Sequence, residues 1–411
     1  MNKFDIICLS FPAWDGNYVK STVKLMSALA KSQRVVFVDY AYTWKDVLWG
    51  ILGKNKYVPW KRVLGLQSRK RHVVLPQGSI QVLSLPPIVP INWTRSTLIL
   101  KLLVKWNGWL IKKVLMRNLE KIDVYKPVVI NALNPVYGNP LAGKLDERML
   151  VYYCYDEIQA GNWMTKHGHA AEEEFLPKVD LVVTSAEKLR ERKSAYHPNC
   201  FTVNNGVDLD MFMVHPDEST NSPNTGKPII GYLGSVDHRL DVDLLDKLLK
   251  KFPHIDLHFV GRVTSMKVFK HFKQYPNVHF LGPQSPEKLA SFLKTFEVGI
   301  IPFLKNDFTE GIYPMKINEY LAAGLPVVST RFGDMNTFED IANICDTPHA
   351  FLEALELCLD SGSTSIQKME RIHFAQENTW EKRAEEFLRI LYKELGAKYG
   401  REEILREGVN I

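Results

Sequence analysis

The chain predicts an α/β protein built from two doubly wound Rossmann-like domains. Three observations carry this. Short apolar runs of strand length recur along its 411 residues. They alternate with segments of helical period, the pattern of parallel strands joined by helical crossovers. The alternation stops at a polar tract rich in Pro, Ser and Asn (216–228) and then restarts. The length alone exceeds one ordinary core and calls for two or three domains.

Taken in order, residues 4–10 read as the first strand. A polar loop follows, Trp14-Asp15-Gly16-Asn17, then a helix over 21–30 and a strand over 34–39. The runs 127–131, 149–154 and 181–185 are apolar on both faces, as expected of parallel strands buried from both sides. After the tract, 229–234, 257–262, 278–282 and 297–303 read as strands, with helices over 242–251 and 285–292 between them. A helix opens at Pro314, stops at Gly324 and feeds a strand over 325–330. An amphipathic helix over 378–399 ends the pattern. The expected organisation is a first domain over 1–205, a crossover and linker over 206–228, a second domain over 229–377, and a C-terminal helix over 378–411 returning to the first domain.

Composition is that of a globular chain, 45% hydrophobic and 24% charged. No run of about 18 uncharged apolar residues reads as a membrane span. The apolar part of the N-terminus is too short for a signal peptide and contains Asp5. The five cysteines lack metal or disulfide spacing, which points to reduced thiols in a cytoplasmic protein. Cys8 and Cys154 sit in apolar runs and read as core.

Net charge is +6 and unevenly spread. Residues 44–126 hold sixteen Lys/Arg against three acids, so the remainder is acidic. Tryptophans interleave with these cations, and 98–119 reads as an amphipathic basic helix suited to an anionic membrane surface. The same pattern also fits helices that bury Leu and Trp in a core and leave Lys in water. Nucleic acid is not expected as a partner, since no recognition motif accompanies the basic segment.

The most informative stretch runs from Pro314 to Thr330. Lys316 and Glu319 are three apart and share a helix face near its start. Free N–H groups and positive potential there suit a phosphate. A cation, a helix N-terminus and a carboxylate one turn later can grip a nucleoside diphosphate and its ribose. An ordinary α/β helix with a surface ion pair fits the segment equally well. Gly16, Gly206, Gly234, Gly261 and Gly282 stand at strand ends, where ligands of such sheets bind.

Five pieces in order carry a family resemblance. They are Asp180-Leu-Val-Val-Thr-Ser185, Asn204-Asn205-Gly206-Val207-Asp208 with Phe212, Ile230-Gly-Tyr-Leu-Gly234 with Val260-Gly261-Arg262, Glu319-Tyr-Leu-Ala-Ala-Gly-Leu-Pro-Val-Val, and Thr379-Trp380 before Arg383. The chain resembles the family-4 glycosyltransferases of the GT-B fold. Within them it resembles a subgroup of cell-surface polysaccharide enzymes of the teichuronic-acid type. The resemblance implies transfer of a sugar from a nucleotide donor, UDP- or GDP-linked, with retention at the anomeric carbon. It implies two domains facing an interdomain cleft, the second holding the donor and the first the acceptor, a glycan or a lipid-linked one. Glu319 matches the glutamate that binds donor ribose hydroxyls.

Three departures stand out. The family's first glutamate would fall at Gly311, with Glu310 one position off. Either Glu310 takes its place, or backbone groups of Gly311, Ile312, Tyr313, Pro314 and Met315 hold the sugar. The family's Arg…Lys pair is incomplete in Ser235-Val-Asp-His-Arg239, so Arg239 and Lys316 are expected to share the diphosphate, with Gly234 and Arg262 beside them. Tyr155-Asp156 replaces a His-Asp pair, leaving Asp156 to orient the acceptor or sugar. Asp15, Gly16, Tyr155 and His167 complete the expected acceptor side. No acidic metal motif is present, so neither metal nor cofactor is expected. Peripheral placement at the inner face of a membrane follows from the basic segment. An epimerase or hydrolase on the same plan, or a non-catalytic polyanion-binding protein, is the alternative. Glu172-Glu173-Glu174 reads as the solvated start of a helix, and His254, His258 and His279 as half-buried fillers.

Overall fold

The computed structural model describes residues 4–16, 20–76, 78–158, 167–213 and 226–399. Residues 214–225, most of the polar tract, lie outside that set, as does Asn17 of the first loop. The chain divides into two compact units, one of Met1–Asn204 with Arg383–Ile411, the other of Asn205–Lys382.

The first unit holds eight strands: β1 (Asp5–Ser10), β2 (Arg34–Val38), β3 (Lys70–Leu75), β4 (Gly78–Leu83), β5 (Val128–Ala132), β6 (Met149–Cys154), β7 (Leu181–Thr184) and β8 (Cys200–Thr202). Their order is β3-β4-β2-β1-β5-β6-β7-β8, with the chain reversing direction across the sheet at β1. All pairings are parallel except β3 with β4. β1, β5 and β6 are almost wholly buried, which explains their unbroken apolar sequences. Each fully buried Val, Leu or Ile contributes roughly 1.5–3 kcal/mol of transfer free energy. The β3–β4 hairpin escapes the sequence reading because it alternates. On this edge strand Lys70 and Arg71 are half-buried and His72 is exposed, so no apolar run marks it.

The helices of this unit among the described residues include α1 (Ser21–Leu29), α2 (Trp44–Ile51), α3 (Trp60–Val63), α4 (Thr97–Glu120), α5 (Pro135–Leu141), α6 (Gly168–Phe175) and α7 (Glu187–Ser194). Thr43 and Asp46 form a reciprocal capping box at the start of α2. Ser96 caps α4, the expected basic helix, at its Ile99 N–H.

The second unit is a six-stranded parallel sheet in the order β11-β10-β9-β12-β13-β14. Its strands are β9 (Ile229–Leu233), β10 (Asp256–Val260), β11 (Val278–Gly282), β12 (Val298–Ile301), β13 (Val327–Thr330) and β14 (Asn343–Cys345). The helices are α8 (Leu209–Phe212), α9 (Val242–Lys251), α10 (Met266–Phe272), α11 (Pro286–Leu293), α12 (Asp307–Glu310), α13 (Met315–Ala322), α14 (Pro348–Ser361) and α15 (Ser365–Gln376); α16 (Trp380–Tyr399) starts here and belongs to the first unit from Arg383 on. Strand order reverses between β9 and β12, the switch point where open parallel sheets bind ligands.

Gly231 of β9 pairs with Gly299 of β12. A Cβ on Gly231 would lie 1.9 Å from the Phe296 ring, and one on Gly299 2.7 Å from the Tyr320 ring. Both rings therefore press directly on the sheet. The end of α16 belongs to the first unit, where Lys398 and Tyr399 donate to the Arg148 carbonyl at 3.0 and 2.6 Å. Cys8 and Cys154 are fully buried core.

Among the described residues no helix is long and apolar enough to cross a membrane. Glu172 corrects the reading of the acidic triplet as solvated. It is 2% exposed and accepts from Lys193 at 2.8 Å and from the Tyr152 hydroxyl at 2.7 Å. Lys193 also meets Glu157 at 3.2 Å, so one buried ammonium serves two buried carboxylates. Burial alone would lower the Lys193 pKa. The Glu172 and Glu157 carboxylates beside it reverse that and raise it.

Candidate donor site

β9 ends at Leu233, and the chain turns at Gly234 with φ +139°. A side chain is strained in that region, and here it would also collide. A Cβ on Gly234 would lie 2.4 Å from Lys316 Cε. The missing side chain is what lets Lys316 lie over the strand end. Neighbouring Gly261 has φ +152°, and its Cβ would meet the Gly234 carbonyl oxygen at 2.0 Å. Two strand ends thus approach each other closely, with the Gly234 N–H donating to Val260 O at 2.9 Å.

Lys316 and Arg239 converge on one aromatic ring. Lys316 Nζ stands 5.3 Å from the centre of the Phe303 ring, and the Arg239 guanidinium carbon 5.0 Å from it. Lys316 also overlies Tyr232 at 5.7 Å. Both cations gain from the ring faces, yet they repel each other. Burial first, and Arg239 second, lower the Lys316 pKa from 10.5 to about 8; Glu319 and Asp237 pull the other way. Burial raises the Glu319 carboxyl, and Lys316 partly offsets it.

Arg239 is held by Asp237, a residue sequence reasoning missed. Its Nε donates to both carboxylate oxygens at 2.9 and 3.0 Å, and its backbone N–H donates to Oδ1 at 3.0 Å. Burial pushes the Asp237 carboxyl up, but the hydrogen bonds and charge of Arg239 outweigh it and hold the pKa below its ordinary value. The Asp-x-Arg spacing in the sequence was the available signal. The Arg239 carbonyl accepts Leu304 N at 2.7 Å, which fixes the loop against the segment after β12. His238, beside Arg239, stacks on Phe308 with ring centres 5.6 Å apart.

The backbone before α13 is less open than expected. Pro314 stands just before the helix, with φ −79° and ψ 67°. These are the angles of an inverse γ-turn, and Met315 N donates to Tyr313 O at 2.9 Å across it. The N–H groups of Gly311 and Ile312 both donate to Thr309 O. Three of the N–H groups expected to hold a sugar therefore already have backbone acceptors. The Tyr313 ring is buried against Phe338, and its hydroxyl accepts from Asn318 at 3.0 Å, so its side chain belongs to the core. Gly311 has ordinary helical angles (φ −81°) and ends α12, whose last residue, Glu310, is part-buried. Arg262 is exposed, and its carbonyl accepts Val236 N at 2.8 Å.

Tyr320 sets the height of α13. Its hydroxyl accepts the Leu233 N–H at 2.8 Å, one residue before Gly234. The helix that carries Lys316 and Glu319 is thereby bolted to the end of β9.

In the first unit, the expected acceptor-side residues have structural partners. Asp15 forms an ion pair with Arg71 of β3 at 2.9 Å, and its carbonyl accepts from Lys20 at 2.5 Å. A Cβ on Gly16 would meet Lys20 Nζ at 2.6 Å, so this glycine makes room for Lys20 rather than for a ligand. Asp156 caps Glu157 N at 2.9 Å immediately after β6, and the Tyr155 carbonyl accepts from Ser185 at 3.0 Å. His167 directly precedes α6. Asp15 and Gly16 after β1, and Tyr155 and Asp156 after β6, share the carboxyl edge of one sheet, with β5 between those strands.

Among the described residues Asp256, His258 and His279 form a group with metal-ligating chemistry. It lies at the amino ends of β10 and β11, away from Gly234 and Gly261. Lys227 and His279 reach the Asp256 carboxylate at 4.0 and 3.6 Å, which accounts for that charge without a metal. His258 is fully buried, not half-buried, and burial lowers its pKa to about 4.

Residues 227–361 match the family model described as Glycosyl transferases group 1. A Bacillus subtilis (strain 168) protein named as a teichuronic acid biosynthesis glycosyltransferase, TuaH, is 25% identical over 226 residues. That match covers 51% of this chain and 56% of the relative, so the chain spans little more than half of the curated protein it resembles. Sucrose-phosphate synthase from Thermosynechococcus elongatus superposes with a TM-score of 0.68 at 15% identity, over 97% of this chain and all of that one. Anabaena HepE, solved with UDP and glucose, gives 0.62 at 12% identity over 95% of this chain and 100% of its own. The α,α-trehalose 6-phosphate synthase of Burkholderia multivorans gives 0.65 at 11%, over 97% and 100%. These likenesses establish the fold. The chain has the two-domain fold of these sugar-transferring enzymes, and its second unit carries the match to Glycosyl transferases group 1.

Proposed function

We propose that the protein transfers a sugar from a nucleoside-diphosphate donor, UDP- or GDP-linked, to a hydroxyl of a glycan or lipid-linked acceptor in surface-polysaccharide assembly. The reaction retains the anomeric configuration and uses no divalent cation. The observation that carries this reading is the convergence of Lys316 and Arg239 on Phe303 beside the bare Gly234, with Glu319 on the same helix. Breaking the anomeric C–O bond to the β-phosphate builds negative charge on the leaving diphosphate. Fixed cations aimed at that charge stabilise the transition state more than the ground state. Arg239, clamped by Asp237, offers a preoriented guanidinium, and Lys316 offers a point charge. Glu319 accepts hydrogen bonds from the ribose diol. The acceptor oxygen attacks from the face the diphosphate leaves, a departing phosphate oxygen takes its proton, and Asp156 orients the acceptor. HepE, whose solved complex holds UDP and glucose, supports the donor class, and TuaH supports the polysaccharide setting.

Calorimetry with UDP and GDP tests the donor, followed by a panel of nucleotide sugars scored for release of the diphosphate with and without EDTA. Binding of one nucleoside diphosphate and EDTA-resistant turnover are expected. An intact protein that takes up neither diphosphate would end the proposal.

A further inference from the structure

Fifteen of the 21 exposed large apolar side chains among the described residues fall between Trp44 and Tyr125. The same stretch carries fifteen Lys/Arg and three acids. A surface that is at once apolar and cationic is unfavourable in water alone and matches an anionic lipid interface on both counts.

The residues form two ordered stripes. On α2, Trp44, Leu48 and Ile51 follow helical spacing and are all exposed, while Val47 faces the core. On α4, Leu98, Leu102, Trp106 and Trp109 follow the same spacing at 76, 68, 57 and 50% exposure. The opposite face of α4, with Asn107, Gly108, Ile111 and Leu115, is buried. That helix is therefore apolar on its outer face as well as its inner one. The alternative that these Leu and Trp residues fill the core does not hold.

The stripes meet the same short segment. Trp44 N donates to Ile88 O at 3.1 Å, and Asn107 exchanges hydrogen bonds with Val89 N and O at 3.0 and 2.9 Å. The start of α2 and the middle of α4 are thus pinned to adjacent residues. Cations lie against the aromatic rings, Lys45 over Trp49 at 4.5 Å and Lys113 over Trp109 at 4.9 Å. In this arrangement an indole can enter the headgroup layer while its ammonium stays at phosphate level.

We infer that α2 and the N-terminal half of α4 dock the protein on an anionic bilayer surface, lying on it rather than crossing it. This deepens the lipid-linked acceptor reading by naming the surface where such an acceptor would be met. It rests only on the first unit and is tested separately from donor binding.

The test is flotation of the full chain with vesicles of one-third phosphatidylglycerol in phosphatidylcholine, compared with phosphatidylcholine alone. Most of the protein should float with the anionic vesicles, little with the neutral ones, and salt near 0.5 M should release a large part of it. Six of the nine tryptophans lie in 44–126, so emission should shift to the blue on binding. The triple variant Leu98→Glu, Leu102→Glu, Trp106→Glu should keep its melting temperature and float at least tenfold less. Ile366→Glu with Met369→Glu, exposed on α15 of the second unit, should float like the parent. Protein that stays in the dense fraction at low salt, or a triple variant that floats unchanged, would overturn the inference. So would a dimer in the parent that the triple variant dissolves, which would assign the face to a second copy. Donor titration in the same samples keeps the two proposals apart: loss of flotation with intact nucleotide binding sinks only this one.

Discussion

Replacing Lys316 by Met separates the needs of folding from those of binding. A lysine held at about 8 instead of 10.5 pays for its charge at neutral pH. The whole displacement corresponds to roughly 3 kcal/mol, and partial exposure brings the effective cost nearer ~2 kcal/mol. The sign follows from proton binding. Below pH 8 both folded and unfolded chains hold the proton, and the penalty is fully present. Between pH 8 and 10.5 the unfolded chain holds more protons than the folded one, so stability rises with pH and the penalty is relieved. Lys316→Met should therefore leave the ligand-free protein at least as stable at pH 7, with a melting temperature unchanged or a few degrees higher. The rise between pH 8 and 10 seen in the parent should be flattened. Nucleoside-diphosphate affinity should fall about 10- to 100-fold, since a charge-assisted contact is worth roughly 1.5–3 kcal/mol. In the parent, affinity should decline as pH climbs through about 8. Thermal denaturation and calorimetry across pH 6.5–10 read all of this. A variant that loses stability at pH 7 while binding UDP and GDP as the parent does would refute the reasoning, because Lys316 would then be a structural cation.

Two further outcomes follow from the geometry. Gly234→Ala places a methyl 2.4 Å from Lys316 Cε at φ +139°, so Lys316 must swing away; diphosphate affinity should drop at least tenfold by calorimetry, with a stability loss of about 1–3 kcal/mol. Lys193→Met leaves the buried Glu172 carboxylate without its cation and Glu157 with Arg192 alone, at 3.2 Å, and urea denaturation should show a loss of about 3–5 kcal/mol; adding Glu172→Gln should recover part of it.

Much of the architecture is legible in the residues. β1, β6, β7 and β9 declare themselves because both faces are buried and almost every position is apolar. The reading fails where one face is wet, as at the β3–β4 edge, or where a helix is a single turn, as at α12. For the site, the proximity of Lys316 and Arg239, 77 positions apart, follows from the order of β9 and β12 in a doubly wound sheet. Asp237 was overlooked because it sits beside its own partner, and a local Asp-x-Arg pair looks like any surface pair until its burial is known. Glu172 was misjudged for the opposite reason. Its cation lies 21 positions away, and nothing in a run of three glutamates says which one points inward. The sugar-side backbone was overestimated because a sequence cannot reveal that Met315 and Ile312 have already spent their N–H groups on local turns.

The Tyr320 ring rests on Gly299 and its phenol oxygen meets Leu233 N, so a single side chain gauges the separation of helix from strand. Any substitution that thickens that spot, even one methyl at residue 299, lifts the whole helix and carries Lys316 and Glu319 with it. Drift in ligand preference can therefore originate in the middle of the sheet, from a buried position.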